Sequence, residues 1–145
     1  MAMRAPQKAP VTGAAYAAAQ PRGQKWSGSA MTIKQVMETL DAELLTPEAD
    51  LTREVHAACG SDMMSDVLAY VKDQAVLVTG LNNPQVVRTA DMMDMICIVF
   101  VRGKKPDGAI LQLAVDRGIA VLATKLPMFA ACGLLYEKGL RGGMA

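Results

Sequence analysis

Two segments of this sequence combine glycine with residues that suit the binding of an anion. Thr79-Gly80-Leu81-Asn82-Asn83 precedes a helical pattern that opens with proline, and Arg102-Gly103-Lys104-Lys105 follows an apolar run. Backbone amides at such a turn or helix start can point toward a negative group, and the basic side chains add positive charge. A phosphate-bearing small molecule is therefore a reasonable ligand.

A purely structural interpretation of the same segments stays open. Asp62, Thr79, Asn83 and Asp107 have side chains that commonly cap helices, while Gly80 and Gly103 permit tight turns. The basic residues would then form only a solvated loop. For any single residue this interpretation is the simpler one.

Motifs for self-sufficient catalysis are absent from the sequence. It contains neither the Gly-x-x-x-x-Gly-Lys-Ser/Thr of phosphate-binding loops nor the Gly-x-Gly-x-x-Gly of dinucleotide sites. His56 is the only histidine, and with Cys59 it supplies only two metal ligands, which is too few for a site. Four aspartates show no spacing that would bring two carboxylates onto one substrate: Asp62, Asp66, Asp91 and Asp94. We therefore assign no catalytic residue and no metal, and the cofactor stays unknown.

The composition indicates one globular domain. The chain has 145 residues, of which 52% are hydrophobic and 20% are charged, and few are aromatic. Aliphatic side chains and methionine are sufficient to fill a single core in a chain of this length. The longest apolar run, at 95–101, is far shorter than the roughly 20 residues of a membrane helix, so we expect no membrane span.

The charges of this domain bear on whether it binds nucleic acid, and its cysteines bear on its cell compartment. The formal net charge is +1, but residues 1–30 contain four basic residues and no acidic one, so the rest of the chain is mildly acidic. Such a domain lacks the clustered positive charge of a nucleic-acid-binding face. The three cysteines are far apart and form no Cys-x-x-Cys pair. This pattern favours neither a disulfide framework nor a zinc site, and it indicates the reducing cytoplasm.

The first thirty residues differ from the rest of the chain. They are rich in Ala, Gly, Pro and Gln and show no apolar periodicity, so we expect 1–30 to be disordered. Their lack of acidic residues is compatible with an organelle transit peptide, but a flexible tail, an overextended start codon or a non-native remnant are simpler explanations. The folded unit is predicted to cover 31–140, with a flexible tail at 141–145.

From residue 31 onward, helical and extended patterns alternate. Thr32 and Gln35 have the spacing of a capping box, and a short extended piece follows at 42–45. Apolar runs predict four strands, at 54–59, 75–79, 96–101 and 119–123. The helices after these strands are predicted to start at Ser61-Asp62, Pro84, Asp107 and Pro127. This alternation predicts an α/β fold, a single three-layer domain with a mostly parallel sheet flanked by helices.

Apolar spacing predicts which face of each helix is buried. The first of these helices is predicted to bury Met64, Val67, Leu68 and Val71. The next two are predicted to bury Val86, Val87, Ala90 and Met93, and then Ile110, Leu111, Ala114 and Val115. The last is predicted to bury Phe129, Cys132, Leu135 and Tyr136.

Ligands of parallel sheets usually bind beyond the carboxyl ends of the strands. In this sequence that rule selects the loops after the four predicted strands. The predicted ligand-binding residues are Ser61, Asp62, Thr79, Gly80, Asn82, Asn83, Arg102, Gly103 and Thr124.

The order of these segments resembles the DRTGG domain over nearly all of 31–140. The most specific parts are Gly-Ser-Asp-Met at 60–63, Val-Thr-Gly at 78–80, Arg-Gly-x-x-Pro at 102–106 and Thr124. DRTGG domains occur beside the catalytic region of HPr kinase/phosphorylase, in long phosphotransacetylases, with CBS-domain pairs and as free-standing proteins. The resemblance implies a fold like the amino-terminal domain of HPr kinase and an accessory role in ligand sensing or oligomerisation.

The sequence departs from the pattern that gives this family its name. The Asp-Arg expected after the Thr-Gly loop is replaced by Leu81-Asn82-Asn83, and the expected Thr-Gly-Gly reads Val101-Arg102-Gly103. These two loops are the ones nearest the predicted crevice.

Three functions are compatible with the sequence. The first is a non-catalytic, cytoplasmic regulatory module, acting as a homo-oligomer, that binds a small anionic metabolite or nucleotide at the predicted site. The second is an interaction scaffold in which the helix bearing Met92 and Met93, or the acidic face, docks onto a protein partner. The third is a small phosphoester- or acyl-phosphate-acting enzyme that uses Asp62 and Arg102.

Overall fold

A computed structural model of the chain describes residues 29–69 and 73–142. The predicted disorder of 1–30 concerns residues that lie almost entirely outside this description, as does most of the predicted tail at 141–145. Seven strands are present in the described part: β1 (Met31–Thr32), β2 (Glu43–Leu44), β3 (Glu54–Val55), β4 (Ala57–Gly60), β5 (Ala75–Thr79), β6 (Cys97–Phe100) and β7 (Ala120–Ala123). The helices described are α1 (Ile33–Thr39), α2 (Met64–Val67), α3 (Pro84–Met92), α4 (Gly108–Asp116) and α5 (Met128–Glu137).

The main sheet has five strands in the order β2-β7-β6-β5-β4. The four longer strands run parallel, and β2 joins the edge of β7 in the antiparallel direction. Every residue of β5, β6 and β7 is buried, as expected when helices cover both faces of a parallel sheet. Strands β1 and β3 form a separate antiparallel pair.

Helices pack on both faces of the sheet, which confirms the predicted three-layer α/β fold. On one face, α1 and α5 contribute Ile33, Val36, Leu40, Ala131 and Leu135 to a core with alternate strand residues. On the other face, α2, α3 and α4 contribute Val67, Val86, Val87, Ala90, Ile110 and Ala114. The predicted stripe on α3 is confirmed in full, since Met93 is also buried.

The connections decide where a crevice can form. After β4, β5 and β6 the chain passes to helices on one face, whereas after β7 it passes to α5 on the opposite face. Because β6 and β7 are neighbours, their outgoing loops separate at the carboxyl edge of the sheet. Such a point is where ligands of open α/β sheets usually bind.

The local signals at the helix starts are mostly confirmed. Thr32 and Gln35 form the predicted capping box at the start of α1. Asn83 caps α3 ahead of Pro84, and Asp107 caps α4 by accepting from the amide of Ile110. Pro127, predicted in the first turn of the last helix, is instead the N-cap of α5.

Two predicted elements near the first loop are different in the structure. The strand predicted at 54–59 is divided at His56, because its first part, β3, pairs with β1 and its second part, β4, pairs with β5 in the main sheet. The helix predicted from Ser61-Asp62 starts at Met64 and ends at Val67, with Leu68 exposed. Neither Ser61 nor Asp62 caps it, since its N-cap is Met63 without a side-chain hydrogen bond. Val71 lies outside the described residues.

The predicted faces of the last two helices were only partly right. On α4, Ile110 and Ala114 are buried but Val115 is exposed. On α5 the side chain of Phe129 is 92% exposed and that of Tyr136 is also exposed, while Ala131 and Leu135 face the core. Because α5 carries apolar residues all round, periodicity alone does not select one face, and packing against α1 and the sheet does.

Candidate functional site

The first and second predicted loops are joined by the carboxylate of Asp62. Its Oδ1 accepts hydrogen bonds from the backbone N–H of Gly80 at 2.6 Å and from the Thr79 hydroxyl at 3.1 Å. The Thr79 hydroxyl oxygen also accepts from the Leu81 amide at 3.1 Å. A hydrogen bond to an ionised acceptor is stronger than a neutral one. Asp62 therefore fixes the loop after β5 to the loop after β4 instead of capping a helix.

The second and third loops meet where Arg102 crosses Gly80. A Cβ built on Gly80 would lie 2.5 Å from Nη2 of Arg102 and 3.3 Å from its Cζ. The guanidinium therefore occupies space that is open only because residue 80 has no side chain. A second link joins the same loops, since Nδ2 of Asn82 donates to the Lys105 carbonyl at 3.1 Å.

The loop after β6 has an unusual backbone conformation at Arg102. Arg102 and Gly103 have φ values of 59° and 70°, and the Lys104 amide donates to the Val101 carbonyl at 3.2 Å. Two successive positive φ angles within such a turn are typical of the type I′ class. Glycine adopts this region easily, but an arginine does so at a cost of about 1–2 kcal/mol. The structure thus holds a basic side chain where glycine would be less strained.

The third and fourth loops are joined through their backbones. The amide of Gly103 donates to the Thr124 carbonyl at 2.9 Å, and the amide of Arg102 donates to the Leu126 carbonyl at 2.8 Å. The Thr124 side chain is buried, where its hydroxyl donates to the Leu40 carbonyl at 2.8 Å and accepts from the Leu126 amide at 3.3 Å. Thr124 therefore positions the loop, and its hydroxyl already has two partners.

A groove of about 370 Å³ lies between these last two loops, beyond the ends of β6 and β7. Its lining comprises Leu40, Asp41, Glu43, Gly103, Lys105, Ala123, Thr124, Lys125 and Leu126. Lys105 closes one side through a salt bridge of 2.8 Å to Glu43, and both side chains are exposed. This groove coincides with the point where the chain leaves β6 and β7 toward opposite faces, so it is the expected place for a ligand. We call it the carboxyl-edge groove.

The charges around the carboxyl-edge groove are only partly neutralised. Arg102, Lys104 and Lys125 are exposed and form no salt bridge with any residue in the described ranges. Lys105 is the exception, because Glu43 pairs with it. Three basic side chains are therefore available to an anion at this edge.

The nine predicted site residues all lie at this edge of the sheet but play different parts. Gly103 and Thr124 line the groove, and Arg102 lies beside it. Asp62, Thr79 and Gly80 form the hydrogen-bonded link between the first and second loops, and Asn82 links the second loop to the third. The remaining two make local bonds: Ser61 with the backbone of Met63, and Asn83 as the α3 cap.

Part of the groove wall was missed by sequence reasoning. Leu40 and Asp41 come from the turn between α1 and β2, and Glu43 begins β2; they reach the groove because β2 pairs with β7. A two-residue antiparallel strand carries too weak a pattern to predict its partner. In the structure Asp41 has a positive φ of 46°, which marks the turn that leads into β2.

Within residues 29–69 and 73–142, no cluster of three or more His, Cys, Asp or Glu side chains has the arrangement of a metal site. No helix in the same ranges has the length and apolar character needed to cross a bilayer.

The family model of the DRTGG domain matches residues 35–137. The chain belongs to the DRTGG domain family. Comparison with curated proteins gives no match.

Among solved structures, this DRTGG domain is similar to the CBS and DRTGG domains of the regulatory region of Clostridium perfringens pyrophosphatase, solved in complex with its activator, diadenosine tetraphosphate. The TM-score is 0.62 at 16% sequence identity, and the match covers 75% of this chain and 47% of that one. At this identity the likeness establishes the fold alone. The chain spans about half the length of the protein it matches.

Proposed function

We propose that this DRTGG domain is a non-catalytic regulatory module that binds a small anionic metabolite or nucleotide at the carboxyl edge of its sheet. The observation that carries the proposal is the carboxyl-edge groove, which Lys125 lines and which Gly103 borders from the turn that also carries Arg102 and Lys104, three cations without a salt bridge in the described ranges. Cations that have no carboxylate partner attract phosphate groups, and Arg102 can bind one with two parallel hydrogen bonds.

The conformation of Arg102 supports this assignment. A residue held at a positive φ costs stability, and such strain is concentrated at functional positions. Because Gly80 has no side chain, there is room for the guanidinium, and Asp62 holds the Gly80 backbone in place. Three loops thus cooperate to present one basic side chain.

The solved neighbour supports a regulatory role of this kind. Its CBS and DRTGG domains form the regulatory region of a pyrophosphatase whose activator is a nucleotide polyphosphate. We extend to this chain only the class of role, the sensing of a phosphorylated small molecule.

An enzymatic function has weaker support from the same loops. The Asp62 carboxylate is already bonded to Thr79 and Gly80, and the Thr124 hydroxyl to Leu40 and Leu126. A nucleophile needs an adjacent base within hydrogen-bond reach. Steady turnover of a phosphoester or acyl phosphate that disappears in Asp62→Asn would reinstate the enzyme hypothesis.

The proposal is tested by thermal shift on the full chain with nucleotides, cyclic dinucleotides, acyl phosphates and coenzyme A derivatives. Tight binding to the folded state raises the midpoint of unfolding. We expect a shift with at least one phosphorylated compound that Arg102→Gln abolishes and Arg88→Gln, at an exposed arginine on α3, retains. A shift that survives Arg102→Gln, or a set of compounds without any shift, contradicts the proposal.

An interaction surface is the second candidate function, because apolar side chains are exposed on and beside α2 and α3. Met63 is 61% exposed and Met92 is 52% exposed, and Leu68 is exposed as well. Met93 on the same helix is buried in the core, as its apolar stripe predicted, so only Met92 of the pair is available to a partner. We propose a homo-oligomer that uses this surface. Sedimentation of the full chain should give a mass above the monomer that Met92→Lys lowers, while a monomer would oppose this second role.

We also propose that the protein acts in the cytoplasm. The support is the sequence pattern of its three cysteines, which are far apart and include no Cys-x-x-Cys pair.

A further inference from the structure

A second cavity lies at the amino edge of the sheet, opposite the carboxyl-edge groove. Its volume is about 230 Å³. It is lined by the start of α1, the segment 46–53 that precedes β3, the end of α4 and the residues where the chain enters β6 and β7. We call it the amino-edge pocket.

The interior of the amino-edge pocket is apolar. Ile33, Ile96, Ile119 and Ala120 are buried beneath it, and Ala49 and the exposed Val115 form its walls. Thr46 also lines the pocket, but its hydroxyl oxygen accepts from the Val121 amide at 3.1 Å and so has a partner. A small aliphatic or aromatic group would remove this surface from water, which favours binding.

The rim of the pocket carries charges of both signs. Glu48 and Asp50 are on one segment, and Arg53 follows them. Asp50 is held in place by Thr52, whose amide and hydroxyl both donate to its Oδ1, at 2.9 and 2.5 Å. The hydrogen bond from the Thr52 side chain is the main cause that lowers the pKa of Asp50, so this carboxylate is ionised at neutral pH.

Arg53 is fixed as well, but not by an acid. Its Nη1 donates to the Gly118 carbonyl at 3.1 Å. Neither Glu48 nor Asp50 forms a salt bridge with Arg53 or with any other residue in the described ranges. Opposite charges therefore stand beside the pocket without a salt bridge between them, although Arg53 is near enough for its charge to lower the pKa of Asp50 as well. Each keeps hydrogen-bonding capacity for a ligand.

From this juxtaposition we infer that the amino-edge pocket binds a free α-amino acid with an apolar side chain. The side chain fills the pocket, the ammonium group binds Asp50 and Glu48, and the carboxylate binds Arg53. A simple amine would leave Arg53 unused, and a simple carboxylic acid would face two carboxylates. A zwitterion offers its ammonium to the two carboxylates and its carboxylate to Arg53.

The pocket has a path to solvent next to Arg53. A wider polar cleft of about 530 Å³ shares Arg53, Ile96 and Gly118 with it and continues to Asp73 and Asp94.

The test is calorimetric titration of the full chain with L-leucine, L-leucinamide and N-acetyl-L-leucine, with L-phenylalanine as a larger side chain. Leucinamide lacks the carboxylate and N-acetyl-leucine lacks the ammonium. We expect leucine or phenylalanine to bind in the millimolar range or tighter. Either derivative should bind about tenfold more weakly, because each loses one charge-assisted contact.

Variants of the rim residues test which side chain binds each charged group of the ligand. Arg53→Gln should remove the preference for leucine over leucinamide. Asp50→Asn should weaken the preference for leucine over N-acetyl-leucine, and the double variant with Glu48→Gln should remove it. Arg88→Gln, which alters an arginine outside the pocket, should leave both preferences unchanged. Val115→Trp, at an exposed wall position, should block all binding without unfolding the domain.

No binding of either amino acid to the folded wild-type chain would overturn the inference. Equal binding of leucine and its two derivatives would also overturn it. Arg102→Gln should not affect leucine binding, so this result is independent of the carboxyl-edge groove.

Discussion

The guanidinium of Arg102 lies over Gly80, with Nη2 only 2.5 Å from where a Cβ of residue 80 would be. The loops after the neighbouring strands β5 and β6 therefore pack closely against each other at this point. The glycine is needed here for space, because its φ is not among the positive values in the chain. This contact links the backbone that Asp62 holds to the side chain that we assign to anion binding.

Gly80→Ala should displace Arg102 while leaving the fold intact. The atoms that a Cβ would meet are the end of a flexible side chain, so we expect the free energy of unfolding to change by less than about 1 kcal/mol. Affinity for a phosphorylated ligand should fall, as measured by titration. Gly108→Ala is the control, since a Cβ there meets nothing within 4 Å. Unchanged affinity in Gly80→Ala would mean that the position of the Arg102 side chain does not affect the binding of the phosphorylated ligand.

A comparison of Arg102→Gly with Arg102→Ala should separate the effect of losing the guanidinium from the effect of the backbone conformation at residue 102. Both remove the guanidinium, but only glycine relieves the positive φ of 59°. We expect Arg102→Gly to be about 1 kcal/mol more stable than Arg102→Ala in urea unfolding, and both to lose anion affinity. Equal stability of the two variants would show that the backbone at residue 102 is not strained.

Asp62→Ala should destabilise the domain, because it leaves the Gly80 amide and the Thr79 hydroxyl without their acceptor. The expected loss is about 1–3 kcal/mol in the free energy of unfolding. Asp66→Ala, at an exposed carboxylate in α2, should change stability by no more than about 0.5 kcal/mol. Equal effects of the two substitutions would mean that the Asp62 link contributes no net stability.

Cys97 should make stability depend on alkaline pH. Burial raises the pKa of its thiol from 9.0 to about 12. The unfolded chain therefore loses this proton at lower pH than the folded chain does. The stabilising contribution is complete below pH 9.0 and is lost as the pH rises toward about 12.

Urea unfolding of the wild type and Cys97→Ala across this range measures the effect. The wild type should lose more stability than the variant does above pH 9.0. Parallel pH profiles would contradict the assignment. Cys132→Ala is a useful comparison, because Cys132 is only partly buried and its pKa is raised as well.

Much of the fold could be predicted because the central elements carry strong local signals. The apolar run at 75–79 matches β5, and Asn83-Pro84 marks the start of α3. These signals agree with the tertiary structure because β5 is buried on both faces and α3 has one apolar stripe. The edge on which the loops meet followed from the parallel direction of the strands.

The remaining features depend on contacts between distant parts of the chain. The exposure of Phe129 follows from how α5 packs, since its sequence offers several apolar faces. Asp62 has the type and spacing of a cap, but a strand 17 residues away provides better donors. The amino-edge pocket was not predicted because 46–53 has no regular pattern, and its charged rim forms only when that segment folds against Gly118.

The central claim is the location of the anion site, and the most direct measurement is an amide NMR titration of the isotope-labelled full chain with ATP and diadenosine tetraphosphate. The account predicts saturable shifts at 102–105 and 124–126 that Arg102→Gln abolishes. Shifts confined to the amino edge, at 48–53 and 117–119, or no shifts with either nucleotide, would contradict it.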